Sequence, residues 1–328
     1  MPFLWVILCL LFVHKTGLSH KAPSTLIIDE EIEKTTVYIT AFEKEVQHLL
    51  KSPVEEFSTF RQHLPSKYPN LNIVLFLSSG FADVQWEGMW KQIVLRSNLM
   101  HVVHDLGPKE LSFGGAAASL WIQNGEDVPS GVSLIFLRYV YDLLVLENEF
   151  IHTSPSTGVE SFEGMHILEI GGGYGAFASV FSRAHSLDSY TIVDLDNILH
   201  FQEKFLSHVK NISDERKLLT SHSTSVPMNF KFVSPFADEP ISSDLMYSFL
   251  ALDATPQEFQ LKYLSLYVAN AKRGYLVLCS SLSIIKLLFD RVAILQPTAH
   301  LLFMDDLYGT LCDKSYFPLR LLWDSTKE

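Results

Sequence analysis

The stretch His166-Ile-Leu-Glu-Ile-Gly-Gly-Gly-Tyr-Gly-Ala-Phe177 constrains this chain more than any other. It opens as an apolar run with strand character, breaks into four glycines and resumes as a helical pattern from Ala176 to Ala184. Strand, glycine turn and helix in that order place a ligand at the edge of a parallel sheet. The glycines admit a close backbone approach that a Cβ would block. The helix start leaves backbone N–H groups free for the ligand.

Two ligand classes use such a turn. Gly171-x-Gly173-x-x-Ala176 fits the dinucleotide fingerprint. Glu169 argues for the other class, because an anionic pyrophosphate gains nothing from a carboxylate beside the glycines. S-adenosylmethionine (SAM) has no phosphate and carries a sulfonium and an α-ammonium, which a carboxylate suits. Glu169-x-Gly171-x-Gly173-x-Gly175 resembles the first motif of class I SAM-dependent methyltransferases, and Gly172 lies within it. A second element follows about twenty residues later. Tyr190-Thr-Ile-Val-Asp194 reads as a strand ending in a carboxylate that can take both ribose hydroxyls. Asp196 reads as the cap of the next helix. Ser234, after the third strand, and Ser248, in the fourth, complete the expected cofactor lining.

From His166 onward strands and helices alternate, which implies a parallel α/β sheet. The expected strands are His166–Ile170, Tyr190–Asp194, Phe230–Val233, Leu245–Leu252 and Tyr275–Ser280, then a closely spaced pair, His300–Met304 and Phe317–Trp323. The expected helices are Ala176–Ala184, Asn197–Val209, Pro256–Ala271 and Ser283–Ile294. The final pair resembles the reversed hairpin that ends the Rossmann-like class I methyltransferase sheet, whereas a dinucleotide fold would continue with parallel units. Upstream, Leu26–Leu64 reads as two helices, Phe81–Val103 as a helix with one apolar face, Leu106–Pro129 as loop and Val132–Phe150 as a strong helix. The organisation expected is a leader over 1–19, a helical region over 20–155 and a SAM-dependent domain over 156–328.

The leader is the apolar run Pro2–Val13, too short for a comfortable span and suited to a signal peptide cleaved before His20. An uncleaved anchor is the alternative, and it would be the chain's only route to a membrane. Secretion would leave two cysteines, Cys279 and Cys312, for which a bond and two free thiols both stay open. Asn211-Ile-Ser213 is a glycosylation sequon after a helical pattern. A formal charge of −12 argues against nucleic acid as partner, because phosphate binding needs a basic face.

Taken together, Leu168-Glu-Ile-Gly-Gly-Gly-Tyr-Gly175, Tyr190–Leu195, Asp244–Ala251 and Lys272–Val277 resemble the sugar O-methyltransferase family of class I enzymes. That resemblance implies methyl transfer to a hydroxyl of a sugar or other small-molecule acceptor. Such a hydroxyl needs a base or a metal to become a nucleophile. Residues just past the strand ends face the ligand in this architecture. Asp253 is therefore the first candidate base or metal ligand, with a helix cap as its structural alternative. It sits one position earlier than the acid of the family pattern. Asp306, with Asp305, is the second candidate and would suit a divalent cation. His101 and His104 could reach the pocket from the helical layer, although no zinc spacing is present. An NAD(P)-dependent oxidoreductase and a secreted binding module without catalysis remain the rival readings.

Overall fold

The computed structural model describes residues 86–113, 132–152, 161–217, 229–253, 255, 257–303 and 317–327. The expectations for the leader, for Leu26–Leu64, and for Cys312, Asp305 and Asp306 lie outside them.

The sheet has seven strands: β1 His166–Ile170, β2 Ser189–Val193, β3 Phe230–Val233, β4 Leu245–Phe249, β5 Arg273–Ser280, β6 His300–Phe303 and β7 Phe317–Asp324. Their order is β3-β2-β1-β4-β5-β7-β6. β7 runs antiparallel between β5 and β6, and the other neighbours pair in parallel. This is the Rossmann-like sheet with a reversed last hairpin. Its strand order turns back between β1 and β4, where an open sheet leaves a crevice for ligand. Gly274 helps seat the reversed strand. A Cβ there would meet the Trp323 ring at 2.0 Å, so only glycine leaves room for that indole, whose Nε1 donates to the Ala271 carbonyl.

Seven α-helices accompany the sheet among the described residues: α1 Trp86–Ile93, α2 Ser97–Ser112, α3 Leu134–Glu147, α4 Ala176–Ala184, α5 Asp196–Lys217, α6 Gln257–Leu266 and α7 Leu282–Leu295. The first five share a core with Ile167, Ile192, Tyr247 and Tyr275 on one face. α6 and α7 pack with Leu168, Met246, Leu276 and Trp323 on the other. α3 is apolar nearly all round because it is enclosed, and Ser133 caps it by accepting from Phe136 N–H.

Several boundaries differ from expectation. The apolar face over Phe81–Val103 is split into two helices by a turn at Val94–Arg96. The expected loop from Leu106 begins as helix, because α2 continues through Gly107-Pro108 to Ser112. An interior proline costs a helix about 3 kcal/mol. Here Gly107 has no Cβ to clash with the ring, and Pro108 faces solvent. The extra turn sets Phe113 against the Phe201 and Phe205 rings. It also buries Glu110. A buried aromatic side chain contributes about 1.5–3 kcal/mol, which offsets the proline's cost, and the Tyr174–Glu110 hydrogen bond adds to the gain. β4 ends three residues early, at Phe249, because Leu250 turns the chain with φ +56°. α5 runs on to Lys217, which places the Asn211 sequon inside the helix rather than after it.

Candidate functional site

β1 delivers Glu169 and the glycine loop to the crevice, and β2 delivers Asp194 beside them. Gly171, Gly173 and Gly175 have φ of +75°, +56° and +91°. At Gly171 a Cβ would also lie 2.2 Å from the Ala251 Cβ, so the turn after β4 closes over the loop at a distance only glycine permits. A Cβ on Gly172 would crowd Ile192, Gln202 and Glu169. Gly175 closes the turn by donating to the Gly172 carbonyl, and its own carbonyl starts α4 by accepting from Ser179 N–H.

Glu169 is buried on the α1–α5 side of the sheet, where its Oε2 accepts from Tyr190 OH at 2.9 Å. Burial pushes this carboxyl up to about 8, and the charge of Asp194 adds to the effect. Arg138 of α3 pulls it the other way. The Arg138 guanidinium lies between the Tyr139 and Phe249 rings, 4.0 Å from each centre, beside Asp142, which accepts from Tyr247 OH. A cation placed near Glu169 would therefore meet a carboxyl whose ionisation it favours.

The Asp194 carboxylate follows β2 directly. Its Oδ1 accepts from Leu195 N–H at 2.8 Å and its Oδ2 from the Gln202 amide at 2.8 Å. Gly172 N–H also bonds it. Desolvation nonetheless raises it to about 7. From the same loop, Tyr174 reaches the helical layer by donating to Glu110 Oε1 at 2.9 Å, with the Tyr139 and Phe205 rings edge-on to it. The glycine turn is thus tied to α2, α3 and α5.

The β4 side is built differently. Ser248 is fully buried and donates to the Ile170 carbonyl, which joins β4 to the end of β1. Ser234 accepts from Phe236 N–H in a turn past the edge strand β3. Asp253 is 5% exposed, and its Oδ2 accepts from Cys279 N–H at 2.6 Å, so it fastens the turn after β4 to β5. Cys279 is disulfide-bonded to a partner outside the described residues. It lies opposite Pro318 at the start of β7. His101 does not reach the crevice: it is exposed and accepts from Arg183 of α4. His104 is exposed as well. No group of three or more metal-ligating side chains occurs among the described residues.

The glycine cradle and two carboxylates fit a phosphate-free cationic nucleoside. Positions 171 and 172 leave no room for a Cβ, and two desolvated carboxyls, Glu169 and Asp194, flank the turn. Arg138, Tyr174 and Gln202 were not apparent as site residues from the sequence. Gln202 did leave a signal, being polar on the apolar stripe Ile198, Phe205 and Val209 of α5.

No protein-family model matches this sequence, and no curated protein matches it. The resemblance to sugar O-methyltransferases therefore rests on the quoted residues alone. Some solved structures are similar to this chain in part. One is a magnesium protoporphyrin IX methyltransferase from Synechocystis with SAM bound, 9% identical over 70% of this chain and 98% of that one, with a TM-score of 0.35. A methyltransferase from Pyrococcus furiosus is 14% identical over 56% and 81%, with a TM-score of 0.33. A spermidine synthase from Thermotoga maritima is 13% identical over 55% and 58%, also at 0.33. These are likenesses of sheet and helices, not of ligand.

Proposed function

We propose that this chain is a SAM-dependent O-methyltransferase acting on a hydroxyl of a sugar, a glycan or a related small molecule. The observation that carries the reading is the convergence of Glu169 and Asp194 on one left-handed glycine turn. When bound, SAM supplies a methyl group activated by its sulfonium. Glu169 holds the cationic end, Asp194 takes the ribose diol, and the glycine turn brings backbone against the ligand. The acceptor must then be aligned and lose its proton. Asp253 is the carboxylate proposed for that proton, in the turn after β4. Its bond to Cys279 N–H would hold one oxygen in place. A divalent cation at Asp305 and Asp306 is a further part of the proposal.

The apolar leader and the disulfide at Cys279 support a secretory setting, since such bonds persist in oxidising compartments. Among the described residues no helix is long and apolar enough to cross a membrane. The acidic charge supports a partner other than nucleic acid. The test is incubation of the purified chain with methyl-labelled SAM and separate pools of glycans, small polyols and nucleic acid. The reading expects label in a hydroxyl-bearing acceptor. Label confined to nucleic acid would reject the acceptor class.

A further inference from the structure

Gln202 is fully buried on α5, in a stripe whose other members are Ile198, Phe205 and Val209. Its single amide nitrogen donates to the Gly173 carbonyl at 3.0 Å and to Asp194 Oδ2 at 2.8 Å. These two acceptors fix the amide's orientation, because turning it over would set an oxygen lone pair against two oxygens. Its Oε1 then finds no donor among the described residues. A buried acceptor without a donor is costly, and an apolar side chain of similar size would avoid that cost. The benefit of glutamine here therefore lies in its two N–H bonds. The loop also packs on the same residue, since a Cβ on Gly175 would touch Gln202 Cα and Cβ at 3.5 Å.

We propose that Gln202 is a positioning residue that locks the β1 glycine turn and the β2 carboxylate in one geometry, and thereby sets the pocket's selectivity for a ribose diol. This rests on the SAM reading and assigns α5 a part in it. Asp194 can hold two hydroxyls only if its carboxylate plane is fixed. Of the side chains on α5, Gln202 bonds that carboxylate and the loop together.

The test is Gln202→Met, which keeps the length of the side chain and removes both donors. Titrations would use S-adenosylhomocysteine, adenosine and 3′-deoxyadenosine, with folding checked by circular dichroism. The variant is expected to bind S-adenosylhomocysteine about ten- to a hundredfold more weakly, as for lost bonds to a charged group. It should also lose most of the wild-type preference for adenosine over 3′-deoxyadenosine. A merely structural role would weaken all three ligands alike and leave that preference intact. Gln202→Glu serves as the second variant, since its carboxylate would face Asp194 and weaken binding further. A folded variant with wild-type affinity and preference overturns the positioning role and leaves the SAM reading standing. Failure of the wild-type chain to bind S-adenosylhomocysteine removes both.

Discussion

The two halves of the sheet's ligand edge are made in different ways. At β1 and β2, two raised carboxylates and a left-handed glycine turn surround one point, and three helices pin that turn from behind. At β4 and β5, the polar groups are spent on the protein itself. Ser248 bonds Ile170, Asp253 bonds Cys279, and Leu250 turns the chain with a positive φ. The first half gathers charge around a turn open to close backbone approach, and the second holds its turns together. A cofactor is the same molecule in every turnover, so its half can be rigid and complete. On the proposed function, the other half would also have to admit the acceptor.

The largest effect that would break this comparison is at Gly171. Gly171→Val adds a Cβ into Ala251 at a left-handed backbone position. The backbone penalty is about 1–2 kcal/mol and overpacking adds about 1–3 kcal/mol. Denaturant unfolding should show a loss of that order, together with lost cofactor binding. Wild-type stability would mean that the β4 turn does not close on the loop.

Asp194→Ala should leave the fold intact and weaken S-adenosylhomocysteine by about 1.5–3 kcal/mol, the usual loss for bonds to a charged group. Calorimetry reads this directly. Asp253→Asn sharpens the contrast, because it keeps an oxygen for Cys279 N–H but cannot serve as a base. Methyl transfer should fall by about 10²–10⁴ with cofactor affinity unchanged. If transfer persists and only stability shifts, Asp253 is an anchor alone.

The pH effects are smaller. Glu169 titrates near 8 and Asp194 near 7, both above their ordinary values of 4.5 and 3.8. The folded chain therefore holds protons that the unfolded chain has released, so stability should fall as pH rises from about 4 to 8. A cationic ligand must expel the Glu169 proton, so affinity should rise over the upper part of that range and level off above about 8. Glu169→Gln should flatten both profiles. An unchanged stability profile in that variant would place the titration elsewhere.

Much of this was legible in the sequence, unevenly and for physical reasons. β1 and α4 have the bounds their apolar periods imply, and the last two strands pair as the reversed hairpin that the methyltransferase resemblance implied. The Glu169, glycine and Asp194 pattern is local, so its residues meet because neighbouring strands are parallel. Asp253 could not be resolved in this way. Whether it faces an acceptor or the Cys279 amide depends on a partner 26 residues away. Gln202 and Glu110 act through contacts from their helices to the glycine turn and the end of β2, for which no spacing rule exists. At Pro108 the local signal to stop was overridden by packing further along the chain.

The central claim is that the glycine turn with Glu169 and Asp194 holds SAM rather than a dinucleotide. Parallel calorimetric titration of the full chain with SAM, S-adenosylhomocysteine, NADH and NADPH tests it most directly. The account predicts saturable binding of the first two, weakened in Asp194→Ala, and no binding of the nicotinamide cofactors. Saturable binding of NADH or NADPH with none of SAM would contradict it.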